Sequence, residues 1–63
     1  MTPKQYREAL DRVGLSQVGA AHFFFVNQRT SRRWASGEQP VPRTIEIILW
    51  LMMKFKVRWE DVP

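Results

Sequence analysis

Apolar positions in this chain recur at spacings of three and four and never alternate, so the pattern predicts helices and no strand. Tyr6, Ala9, Leu10 and Val13 form one stripe. It lies behind Thr2, a good N-cap, and Pro3, whose missing N–H suits the first helical position. Gly14 is expected to end that helix in the left-handed conformation, which lets Leu15 pack back on Leu10. Ser16 caps a second helix, with Leu15 stapled onto Ala20. Ala20, Ala21 and Phe24 should face inward, and the two alanines let another helix approach closely. Phe25, Val26 and Asn27 make a tight turn, with Val26 plugging the gap between helices and Asn27 capping a third. That helix runs to Ser36 and stops at Gly37. Trp34 is its only large apolar residue, so its own core face is too small to account for it.

Glu38 to Pro42 is a stiff, extended connector, because each proline fixes its own φ and pushes its predecessor out of helix. Pro42 opens a fourth helix, at about 42–55, that is apolar nearly all round from Ile45 to Phe55. An apolar circumference implies burial on two sides, the second being a partner chain. Val57, Trp59 and Val62 predict an irregular or single-turn tail that folds back. The fold class expected is all-α: one domain over residues 1–63, four helices and a short fifth turn, organised around residues 16–37.

Sixty-three residues is one domain, with no room for a second or for a deep substrate cleft. A chain this short buries only about 60% of its unfolded surface. Its stability is on the order of 3–9 kcal/mol. The absence of cysteine excludes disulfides and thiolate metal sites. His22 has no acidic pair beside it in sequence, so neither metal nor cofactor is expected, and His22 reads as an exposed helix residue. No nucleophile–base pair and no glycine-rich phosphate loop appears, so the chain does not read as an enzyme. The residues after Met1 are polar and mixed in charge, unlike a secretory signal. The run from Ile45 to Met53 is too short to span a bilayer. A cytoplasmic location with no membrane association is the expectation.

The net charge of +4 points to anionic partners, nucleic acid first and anionic membrane second. Charge only at the ends of the fourth helix argues against the membrane. The basic excess is local: Asn27 to Arg43 holds four arginines and one acid, Glu38. The first helix is nearly balanced, and its Lys4 and Arg7 read as a solvated face. Trp34 reads as core. Phe23, Phe24 and Phe25 suggest single-strand stacking only superficially, since Phe24 should be internal and the arginines follow on the next helix.

Residues 15 to 42 resemble the helix-turn-helix domains of the lambda-repressor-like (Xre) family. The resemblance rests on Leu15-Ser16-Gln17, Ala21, Val26, Asn27 and the string RRWASGEQPVP from Arg32 to Pro42. It implies that the third helix lies in the major groove with its N-terminal residues on base edges. Carried over by position, Gln28, Arg29 and Arg32 are the base-reading candidates. Gln17, Asn27, Thr30 and Arg33 are phosphate candidates, and Arg43 is a further one from its charge. The chemistry agrees independently: arginine bonds bidentately to guanine, and glutamine to adenine. Short polar groups and helix-start amides suit phosphate oxygens. Two positions depart from the family pattern. Phe25 replaces a small residue, usually glycine, which implies either a different turn or compensating burial of the ring. Ser31 replaces an aliphatic anchor, which implies a loosely seated third helix.

The expected function is a sequence-specific regulator of transcription, a repressor by preference. It would bind double-stranded DNA as a homodimer through Trp50, Met53 and Trp59. The rival expectation is a protein-interaction module on the same fold, such as an antitoxin or an adaptor.

Overall fold

Thr2 starts the first helix, α1 (Pro3–Val13), with both halves of a capping box. Its Oγ1 accepts from the Gln5 N–H at 3.1 Å, and Gln5 Oε1 accepts from the Thr2 N–H at 2.8 Å. Gly14, at φ +83°, ends the helix. Leu15 N–H then donates to the Leu10 carbonyl at 2.8 Å, and Gly14 N–H to that of Asp11 at 3.2 Å. These are the paired bonds of a Schellman ending. The second helix, α2 (Gln17–Phe23), begins where Ser16 Oγ accepts from the Gly19 N–H at 2.9 Å.

The computed structural model describes all residues from Met1 to Pro63. It continues with α3 (Gln28–Ser36), α4 (Arg43–Lys54) and a single 3-10 turn at Trp59–Asp61, with no strand. Every helix expected from the periodicity is present. Pro42 differs slightly from expectation: its ψ of 147° leaves it as the cap before α4, whose first helical residue is Arg43. Phe55 likewise falls just past the helix, as its C-cap.

α1 lies against both α3 and α4, while α2 packs on α3. The stripe predicted on α1 is the centre of the core: Tyr6, Ala9, Leu10 and Val13 are all buried. They meet Ala20 from α2, Trp34 and Ala35 from α3, and Leu49 and Met52 from α4. The tail returns to this core. Val57 N–H donates to the Met52 carbonyl at 2.8 Å, and Lys56 takes the left-handed position at φ +55°. Arg58 and Trp59 then lie over Gly14. A β-carbon there would overlap the Arg58 guanidinium and stand 3.3 Å from Trp59 Cδ1.

Candidate nucleic-acid interface

α3 has two chemically distinct faces, set by residue spacing. Ser31, Trp34 and Ala35, at helical spacings of three and four, point inward and are buried. Gln28, Arg29 and Arg32 point outward and are exposed, while Thr30 and Arg33 are half-buried at the flanks. Asn27 fixes where the helix starts: its Oδ1 accepts from the Arg29 N–H at 2.7 Å. That bond uses the amide oxygen alone, so the Asn27 side-chain NH2 keeps its hydrogens for an acceptor such as a phosphate oxygen.

The inner face is closed by a pair that sequence reasoning missed. The Ser31 hydroxyl and the Tyr6 hydroxyl are hydrogen-bonded at 2.9 Å, and both residues are fully buried. Tyr6 also meets the Trp34 ring edge-on, with centroids 5.8 Å apart. The expectation of a loosely seated helix is therefore corrected. The volume an aliphatic anchor would fill from α3 is supplied by Tyr6 from α1, and the serine satisfies its phenol. Burial pushes the Tyr6 pKa above its ordinary value, with the Ser31 bond pulling weakly the other way. Arg7 is also not a free surface cation. Its guanidinium donates to the Ala35 carbonyl, among the unpaired carbonyls that end α3.

On the outer face Arg29, Arg32, Arg33 and Ser36 line a shallow concavity of about 360 Å³, with Glu38 on its rim. Arg33 Nε lies 3.5 Å from the Glu38 carboxylate, a largely exposed pair. Such pairs contribute about 0–1 kcal/mol, so the glutamate offsets charge without locking the arginine. Gln17 is exposed in the first turn of α2. Arg43 is not part of this group. It pairs with Glu46 at 2.5 Å on α4, and Glu46 also takes the N-terminal ammonium of Met1 at 2.6 Å. The ammonium hydrogen bond, then Arg43, holds the Glu46 pKa below its ordinary value.

The turn carries a further correction. Phe25 has neither a different backbone nor a buried ring: it sits at φ +56° with its side chain 96% exposed. Phe25 N–H donates to the His22 carbonyl at 3.3 Å, and Val26 N–H to that of Ala21 at 2.9 Å. These bonds are a Schellman ending with phenylalanine where glycine is usual. Val26 packs against the core, as expected of the plug.

Of the self-association candidates, Trp50 and Met53 lie together and Trp59 lies apart, with Trp50 and Trp59 each more than 40% exposed. Trp50 and Met53 turn toward α1, beside Gln5, Glu8 and Arg12. Trp59 packs over Gly14 and lines a concavity with Leu15, Ser16, His22 and Phe23. A further exposed apolar row, Ile47, Ile48, Leu51 and Phe55 at 40–66% exposure, runs along α4 and just past its end, with Trp50 at 44% beside it. Counting in steps of four from Ile47 would have found it.

No helix is long and apolar enough to cross a membrane, and no group of three or more His, Cys, Asp or Glu side chains converges on a metal position. No protein-family model, curated protein or solved structure matches the chain.

Proposed function

We propose that the chain is a sequence-specific, duplex-DNA-binding regulator of transcription, acting as a repressor by occupying its site. One observation carries the reading. α3 is held by its inner face and its C-terminal end, leaving Gln28, Arg29 and Arg32 exposed on a cationic outer face with no structural work to do. The recognition helix enters the major groove, where arginine reads guanine and glutamine reads adenine. Arg33, Thr30, Gln17 and the amides beginning α2 and α3 meet phosphates. At 29 Å in its longest dimension, one copy covers less than one turn of duplex. Two copies, joined through the α4 stripe, reach half-sites about 34–36 Å apart.

Selection of bound duplexes from a random pool tests this reading. Arg29→Ala and Arg32→Ala should each cost about 1–3 kcal/mol and relax particular base positions. With roughly four phosphate contacts per copy, a dimer's log affinity should fall with log salt at a slope near −7. No enriched motif, or binding flat in salt, refutes it.

The apolar stripe on α4 also supports a second reading, an adaptor or antitoxin that covers a different protein. Light scattering separates the two. A dimer that Leu51→Glu converts to a folded monomer supports self-association. A monomer at all concentrations favours the second reading.

A further inference from the structure

We infer that Phe25 reads a thymine: its ring meets the 5-methyl group of that base in the major groove, beside the bases faced by Gln28 and Arg29. The inference rests on the duplex-binding reading and adds to it a specificity determinant outside α3.

Phe25 is unfavourable for folding on two separate counts. Its φ of +56° disfavours any residue with a β-carbon. Its ring is 96% exposed, the most exposed of the large apolar side chains, the next being Phe55 at 66%. The chain ends two other helices with glycine in the same backbone region, at Gly14 and Gly37. Lys56, the other non-glycine residue there, carries a charge suited to water. Phe25 alone combines the strained backbone with an unburied apolar side chain. Strain retained against stability collects at functional positions.

Position and chemistry then narrow what the ring could meet. Phe25 N–H and Val26 N–H are both hydrogen-bonded to the end of α2, so the turn is pinned rather than free. Two peptide units separate Phe25 from the Asn27 cap, a span of at most about 7.6 Å. The ring is thus carried on the same short stretch that opens α3 and presents Gln28 and Arg29. Phenylalanine has no donor and no acceptor. Of the features on base-pair edges in the major groove, only the thymine methyl is recognised by an apolar group.

The test uses the duplex enriched by the wild-type protein, with each thymine replaced in turn by deoxyuridine, which deletes the methyl alone. Affinities are measured by fluorescence anisotropy for the wild type and Phe25→Gly. At one thymine per half-site the wild type should lose about fourfold, the equivalent of one buried methyl. Phe25→Gly should bind thymine and uracil there equally, and every other position should respond as in the wild type. Its melting temperature, followed by circular dichroism, should equal or exceed that of the wild type, because glycine relieves the backbone.

Unchanged thymine-over-uracil discrimination in Phe25→Gly overturns the inference. So does the absence of a uracil effect at every thymine in the wild type. Loss of the dimer in Phe25→Gly also overturns it, by moving the ring to a protein contact. If Arg29→Ala and Arg32→Ala lose binding while Phe25→Gly behaves as wild type, only this inference fails. If the wild type enriches no duplex, the parent reading fails with it.

Discussion

Breaking the Tyr6–Ser31 hydrogen bond from either side should destabilise the protein unequally, and breaking it from both sides should cost less than the sum. The two hydroxyls are 2.9 Å apart on residues with no exposed surface, so each is the other's substitute for water. A buried polar group left without a partner costs about 1–3 kcal/mol. Ser31→Ala strands the phenol, and the cost should fall in the upper part of that range. Tyr6→Phe strands a helical serine, which can turn to the carbonyl four residues back, so its cost should fall in the lower part. The double variant leaves no polar group behind, and a coupling of about 1–2 kcal/mol should appear between the two sites. Each kcal/mol shifts the midpoint of a domain this size by roughly 4–8 °C, well within the reach of circular dichroism melting. Strictly additive costs would refute the pairing. The same phenol predicts alkaline behaviour. Its folded pKa is raised, so its contribution to stability is intact below the unfolded value of about 10 and is lost as pH rises through the folded value. Tyr6→Phe should remove that portion of the alkaline loss.

Glu38→Gln removes the anion on the rim of the arginine concavity, and duplex affinity should rise by up to about fivefold at low salt, a gain that shrinks as salt is added. Glu46 has a lowered folded pKa, so its contribution to stability is present above the ordinary value of 4.5 and lost as pH falls through the folded value. Glu46→Gln should therefore flatten the acid limb of stability against pH, measured by urea denaturation across the acid range. Gly14→Ala puts a β-carbon at φ +83° and into the Arg58 guanidinium. It should cost at least about 1–2 kcal/mol, and tryptophan emission should shift as Trp59 is displaced.

The helices and their ends were legible because their causes are local. Thr2, Ser16, Asn27, Gly14 and Gly37 act within a few residues of themselves, and each does in the structure what its side chain, or lack of one, suggested. The α1 stripe was legible for the same reason. The seat of α3 was not, because Tyr6 and Ser31 are 25 residues apart and neither hydroxyl announces the other. A serine on a core-facing position reads as a defect until the helix opposite supplies a phenol. Arg7 is exposed, as its place on α1 suggests, but its guanidinium also donates to a carbonyl at the end of a different helix, a partner invisible to side-chain patterns. Phe25 is anomalous in the sequence itself, yet neither a different turn nor a buried ring offsets its cost in the fold. The outward direction of Gln28, Arg29 and Arg32 was legible from the positions of Trp34 and Ala35 alone.

The packing gives α1 a role beyond filling the core. α4, with the outward apolar stripe, rests on α1, and α3, with the outward cations, rests on α1 through Tyr6 and is tied to it again by Arg7. The relation between the surface that would join two copies and the surface that would meet DNA therefore passes through this one helix. A change on α1 that leaves the helix folded but tilts it would move both surfaces relative to each other. In a dimer the displacement is doubled at the paired half-sites, whereas binding to a single half-site would not register it. On the duplex-binding reading, the Tyr6–Ser31 bond would be a determinant of half-site spacing as well as a stability element. Its loss should weaken binding to a two-half-site duplex more than binding to one half-site.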